Sequence, residues 1–221
     1  MENGVRVSTS HEVRRRNYDN RRRQADAEAR QHRIVQEATT LFVEQGFAAT
    51  SIDQIAKAAE VSAQTIYATH GSKAGVLSRA IDVAVVGDHA PDTVADRLPV
   101  LTGDSIESYH VFFAVTASFV RGLHERVAPL VRVMLQAGLD EVRMRLTREM
   151  HANCALLVAR LGSAMRTGLT EAQAADILVT IQSPYVYSML IDDVGWSPDQ
   201  YEQWLADTLA RMLLRPELLA E

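Results

Sequence analysis

Between Thr50 and Lys73 the chain reads TSIDQIAKAAEVSAQTIYATHGSK, and no other stretch limits the fold as tightly. Thr50 and Ser51 are good helix caps, and Asp53 and Gln54 stand three positions beyond them, so a capping box starts a helix at about Ser51. Ile52, Ile55, Ala56 and Ala59 then share one face. Ala56 is small where a second helix must cross closely, and Val61 supplies an apolar plug after the turn. Ser62 caps the next helix, whose inward face is Ile66 with part of Tyr67. Ala63, Gln64, Thr65, Ala68 and Thr69 are left pointing outward. No Asp or Glu occurs from Val61 to Lys73, so phosphate would not be repelled from this face, and Gln and Thr can meet base edges or backbone oxygens. Two short helices with a tight turn make a helix-turn-helix. The plain alternative is a helical hairpin buried in an all-helical core.

The flanks favour a separate small domain. Upstream, Ala38, Leu41 and Phe42 form an apolar helical face that ends at Gly46, followed by Phe47. Downstream, Gly71-Ser72-Lys73 stops the second helix and caps another that carries Val76, Leu77, Ile81 and Val85. Leu41, Phe42, Phe47, Ile55, Ile66, Tyr67 and Leu77 are the expected core.

At these residues the sequence resembles the TetR family of transcriptional regulators. The matching positions are Ala38-x-x-Leu41-Phe42, Gly46-Phe47, Thr50-Ser-Ile-x-x-Ile-Ala56, Val61-Ser62-x-x-Thr-Ile-Tyr67 and Gly71-Ser-Lys73, in order and without a gap. The resemblance implies an all-α chain: a three-helix helix-turn-helix DNA-binding domain over residues 26–75, then a larger helical ligand-binding and dimerisation domain over 76–221. It also implies that the second helix of the pair enters the major groove of a palindromic operator, presented by a two-fold homodimer. By position, Ala63 and Gln64 would face bases, while Thr50, Ser62, Thr65, Tyr67, Thr69 and Lys73 would hold phosphates. Three positions depart from the family pattern. Glu60 occupies the turn where glycine is usual, Thr69 stands where an aromatic residue or His is common, and His70 replaces a usual Phe.

Composition fits a helical regulator. Apolar residues make up 47% of 221, enough for a sizeable core, while aromatics are few and the helix formers Ala, Leu, Arg and Glu are common. No run is long and apolar enough for a membrane span, Met1–Ser10 lacks the apolar segment of a signal peptide, and Cys154 is the single cysteine. A cytoplasmic protein without membrane partner, cofactor or metal is expected. The net charge of −5 argues against DNA only until it is divided. Residues 1–80 hold 12 basic and 9 acidic side chains, and residues 81–221 hold 11 and 19. Local charge governs over a Debye length of about 10 Å.

Arg14, Arg15, Arg16, Arg21, Arg22 and Arg23 fall in a stretch without apolar periodicity, so residues 1–25 are predicted to be a disordered arm. Two readings stay open for it: contact with phosphates or a minor groove, or a solvated tail.

Beyond residue 90 the pattern predicts helices over 92–98, 104–126, 128–137, 140–166, 170–194 and 198–214, after one over 72–89, with Pro and Gly as punctuation. Apolar stripes recur on the last two. Ile177, Ile181 and Tyr185 on one, and Trp204, Leu205, Thr208, Leu209 and Met212 on the other, are the candidate dimer interface that the resemblance suggests, the alternative being the subunit's own core. Pro184 must kink its helix or open a backbone bond. The resemblance further implies a small, largely apolar effector. Tyr109, Phe112, Phe113, Thr116, Phe119, Met134, Met144 and Cys154 are the candidate pocket, although a packed core explains them equally well. Catalytic residues are not expected: G-x-S-x-G, H-E-x-x-H and phosphate-cradling glycine loops are missing, and His110, His124 and His151 lack ligand spacing. The expected function is a sequence-specific regulator, by family habit a repressor released by its effector; the other class open to the chain is a helical adaptor that uses the hairpin for protein contact.

Overall fold

The computed structural model describes residues 10–87 and 93–219, with side chains from residue 22 onward. Ten α-helices account for most of these residues: α1 Ser10–Ala49, α2 Ile52–Ala58, α3 Ala63–His70, α4 Lys73–Val86, α5 Val94–Arg97, α6 Ile106–Gln136, α7 Asp140–Ala159, α8 Glu171–Ile181, α9 Pro184–Ser188 and α10 Pro198–Leu213. Among the described residues the β structure is one isolated bridge between Met165 and Leu214.

Two apolar cores lie end to end along α6. The first gathers Ile34, Ala38 and Phe42 from α1, Ile55 from α2, Ile66 from α3 and Leu77 and Ile81 from α4, and it is closed by Val127, Leu130, Val131 and Met134 of α6. The second joins Tyr109, Phe112, Phe113 and Val120 of α6 to Leu157 of α7, Leu178 of α8 and Tyr201, Leu205, Leu209 and Leu213 of α10. One continuous helix of about 46 Å, at 1.5 Å per residue, therefore serves both halves.

Pro129 lies inside α6, where the punctuation predicts a break between helices over 104–126 and 128–137. The ring removes one backbone hydrogen bond. Buried residues on both sides, Val127 and Ala128 before it and Leu130 and Val131 after, hold the helix together.

The segment predicted as a single helix over 170–194 is divided. α8 ends at Ile181, Ser183 caps α9 by accepting a hydrogen bond from the Val186 N–H at 3.2 Å, and Pro184 takes the first helical position, where its missing N–H costs nothing. Met189–Asp193 follow as a wide π turn, a local form that often marks functional sites.

The N-terminus differs from the predicted disordered arm. α1 already runs from Ser10, so residues 10–25 have helical backbone, and residues 1–9 lie outside the described residues. Arg, Gln, Ala and Glu are strong helix formers. Of this stretch, Arg22, Arg23, Gln24 and Ala25 are all exposed, which fits the missing apolar periodicity. Gly46, at φ 82°, interrupts the helical path of α1 at the predicted glycine.

Candidate nucleic-acid interface and an apolar cavity

The helix-turn-helix forms from local caps. Ser51 Oγ accepts the Gln54 N–H at 3.1 Å while Gln54 Oε1 accepts the Ser51 N–H at 2.7 Å, so the box at Ser51 prevails over the one at Thr50. In the turn, Glu60 sits at φ 55°, the left-handed region that glycine would occupy without strain. The Val61 N–H then bonds to the Ala56 carbonyl at 2.9 Å, drawing α3 across α2 at the small residue. Ser62 caps α3 through the Thr65 N–H at 3.1 Å, and the two hydroxyls lie 2.8 Å apart.

The outward face of α3 consists of Gln64, Tyr67 and Ala68, spaced at three and four residues and all exposed. Tyr67 is 54% exposed, so it belongs to this face and not to the domain core predicted for it. Ala63 is half-buried beside the core. Thr69 is exposed, but its hydroxyl donates to the Thr65 carbonyl at 2.9 Å. No acidic side chain interrupts α3.

Two candidate phosphate ligands have structural duties instead. Thr50 is 1% exposed, and its hydroxyl donates toward Gly46 O at 2.8 Å and Leu41 O at 3.2 Å, so its side chain closes the end of α1 and is unavailable to a phosphate. Lys73 Nζ donates to Phe47 O at 2.6 Å and Thr50 O at 2.7 Å and lies 4.3 Å from the Phe47 ring centroid. That leaves one of its three protons for an anion. These contacts fasten α4 to the α1–α2 corner. Gly75 fixes the neighbouring joint: a Cβ there would stand 2.0 Å from His70 O. Its presence near a helix start, against propensity, is the available sequence signal. His70 is half-buried; desolvation, then the Arg79 charge, holds its imidazole below its usual pKa.

The other candidate site is a cavity of about 710 Å³ between the two cores. Ile81, Asp82 and Val85 of α4, Phe119, His124, Val127, Val131 and Met134 of α6, Leu146, Met150, Cys154 and Leu157 of α7, and Gln182, Pro184 and Tyr185 at the α8–α9 break contribute to its wall. Phe119, Met134 and Cys154 are thus the predicted pocket residues that line it. Tyr109, Phe112 and Phe113 are packed in the second core, nearer the start of α6, Thr116 is buried beside them, and Met144 is exposed; none of these lines the cavity. Burial pushes the Cys154 thiol up to about 12, which suppresses its thiolate. Pro184, at the break between α8 and α9, forms part of the wall.

Arginines tie the cavity to α4. Arg145 of α7 donates to Ser78 Oγ at 2.9 Å and Asp82 Oδ1 at 2.7 Å, and it also pairs with Glu149 at 2.8 Å. Arg126 Nε of α6 donates to Ala84 O at 3.0 Å. The C-terminal half of α4 is therefore clamped to the larger domain, while its N-terminus abuts α3.

Among the candidate interface residues, Leu205 and Leu209 are completely buried within the subunit's own core, which removes them from any mating face. Tyr185 faces the cavity. Ile177, Ile181, Trp204, Thr208 and Met212 remain half-buried at the edge of that core.

Residues 34–80 match the family model for bacterial regulatory proteins of the tetR family. An uncharacterized HTH-type transcriptional regulator, YdeS of Bacillus subtilis (strain 168), is 34% identical over 110 residues, 49% of this chain and 50% of the relative. The chain thus matches about half the length of that relative. The fold is shared more widely. NalD, the secondary repressor of the MexAB-OprM multidrug efflux pump in Pseudomonas aeruginosa, superposes with a TM-score of 0.64 at 22% identity, over 86% of this chain and 98% of that one. SmeT, the repressor of the Stenotrophomonas maltophilia multidrug efflux pump SmeDEF, gives 0.62 at 14% identity, over 86% and 96%. SmeT is also known as a triclosan complex, with a TM-score of 0.63 at 15% identity over 87% of this chain and 98% of that one.

Fold and N-terminal site together define a helix-turn-helix protein with a second, helical domain. Residues 34–80 are similar to the N-terminal domain of the tetR family of bacterial regulatory proteins.

Proposed function

We propose that the protein is a sequence-specific transcriptional regulator that binds a palindromic operator as a homodimer and responds to a small, largely apolar ligand. The observation that carries this reading is the exposed face of α3, with Gln64, Tyr67 and Ala68 together and no acidic residue among them. Gln64 makes base contacts, with Ala63 beside the groove floor. Ser62, Thr65, Tyr67, Thr69 and the remaining Lys73 proton face phosphates. Ile177, Ile181, Trp204, Thr208 and Met212 form the mating face of the dimer. The cavity holds the ligand, and α4 carries its effect, because one end of α4 lines the cavity and the other abuts the reading helix. A ligand that fits the cavity in only one setting of α4 shifts DNA affinity, and DNA shifts ligand affinity by the same factor. The triclosan complex of a protein with the same fold supports a response to a small ligand.

Selection of the purified protein against random duplex DNA at near-physiological salt tests this reading. Recovery of one palindrome is expected. A retained pool no different from the input would leave the helix pair as a structural hairpin.

A further inference from the structure

The cavity wall holds two buried polar groups that the fold does not use. His124 is 3% exposed and Gln182 is 6% exposed, and both line the cavity. His124 Nε2 lies 2.6 Å from the Gln182 carbonyl, an acceptor only, so this nitrogen carries the proton and Nδ1 is left as an acceptor. Neither His124 Nδ1 nor the Gln182 carboxamide nitrogen has a partner among the described residues. Apolar Phe119, Val127, Met134 and Leu157 share the cavity with them, and its charged lining residues include Arg145, which is paired with Asp82 and Glu149.

We infer that His124 and Gln182 are the polar anchor of the cavity, and that they select an uncharged, mainly apolar ligand bearing a hydrogen-bond donor next to an acceptor, as in a carboxamide or lactam. His124 Nδ1 takes the ligand's N–H, and the Gln182 carboxamide donates to its carbonyl. The inference rests on the ligand role proposed for this cavity.

Position explains why these groups can serve. His124 is held from behind by the Gln182 backbone, and its ring lies among Tyr187 and Tyr201, at centroid distances of 5.4 and 6.4 Å. Gln182 follows the last residue of α8, directly before the Ser183–Pro184 break, where no helix fixes its side chain from the C-terminal side. The anchor calls for a turn of the Gln182 side chain toward the cavity, because its carboxamide nitrogen is itself buried. At the anchor itself, burial lowers the His124 pKa to about 4, so the ring is neutral near pH 7 and offers no cation to a carboxylate, whereas Arg143 and Arg145 lie elsewhere in the cavity lining. A site built to hydrogen-bond a ligand rejects the analogue lacking those groups, because its own buried atoms are then left unpaired.

Calorimetric titration of the full-length protein at pH 7 with four biphenyl probes tests the anchor: biphenyl-4-carboxamide, its N,N-dimethyl amide, biphenyl-4-carboxylate and 4-ethylbiphenyl. The carboxamide is expected to bind about tenfold tighter than each of the others. Gln182→Met and His124→Phe should each bring the carboxamide down to the level of 4-ethylbiphenyl while 4-ethylbiphenyl still binds. Gln182→Met removes no hydrogen bond of the folded protein, so it decides the matter if His124→Phe does not fold. Equal binding of all four probes, or an unchanged preference in Gln182→Met, overturns the anchor and leaves the cavity as a ligand site. Preference for the carboxylate overturns it in favour of an anion site. Binding by none of them overturns the anchor and the cavity's ligand role together.

Discussion

Thr50 and Lys73 separate the work of folding from that of binding. Both are legible as helix-terminal polar residues, where a cap, a phosphate ligand or a corner fastening all use the same chemistry. Only the approach of Phe47 O and Gly46 O shows that the corner takes precedence. Thr50→Val should therefore lower stability by about 1–2 kcal/mol while leaving the salt dependence of DNA binding unchanged, as read by thermal unfolding and a salt titration. An intact melting temperature with a shallower salt slope would restore Thr50 as a phosphate ligand. Glu60 is legible in a stronger sense, because its departure from glycine is visible in the sequence and its φ of 55° shows that the turn keeps its shape. Glu60→Gly relieves that strain, less the extra freedom that glycine gains on unfolding. A net gain of about 0.5–1 kcal/mol is expected in denaturant unfolding; a loss would show that Glu60 makes compensating contacts.

At the scale of elements, local signals and long-range ones part company. α2, α3 and the start of α4 carry their own caps, so their boundaries follow from a few neighbouring residues. The cavity does not, since its wall converges from α4, α6, α7 and the α8–α9 break. Periodicity marks Tyr109, Phe112, Phe113 and Thr116 as inward-facing but not toward which neighbour; the three aromatics pack into the second core and Thr116 is buried. The link from α6 to that break also has a pH signature. An unfolded His takes up its proton below about pH 6.5, whereas folded His124 stays neutral until about pH 4. The unfolded chain then binds more protons, so stability is full above pH 6.5 and falls as pH drops toward 4, by on the order of 3 kcal/mol. His70 adds to the fall in the same direction. His124→Phe should flatten most of this slope in denaturant unfolding between pH 4 and 7, and an unchanged slope would contradict the burial argument. The N-terminal part of α1 presents exposed Arg22 and Arg23. If these reach phosphates, the double alanine variant should lower the log–log salt slope of DNA binding by up to about 0.9 for each phosphate that the arginines neutralise. An unchanged slope assigns them to solvent.

The whole molecule is two apolar cores on one long helix, with α4 as their second connection. That plan is partly legible: the helix-turn-helix domain and a larger helical domain follow from the pattern, and of the expected α3 face Gln64, Ala68 and Thr69 are exposed, while Ala63 and Thr65 are half-buried and Tyr67 joins the surface from the predicted core. The shared helix is hidden by Pro129, whose usual meaning as a helix end is overridden by burial on both sides. The apolar stripe of α10 likewise gives no clue that Leu205 and Leu209 point inward while Trp204, Thr208 and Met212 lie at the edge. The central claim concerns what α3 meets. The affinities of the unmodified protein and Gln64→Ala for the selected palindrome, and for a scrambled duplex of equal length at the same salt, test it most directly. The unmodified protein should prefer the palindrome, and Gln64→Ala should lose about 1–3 kcal/mol there and almost nothing on the scrambled duplex. Equal affinity of the unmodified protein for both duplexes would contradict sequence reading, and equal losses by Gln64→Ala on both would contradict the role assigned to Gln64.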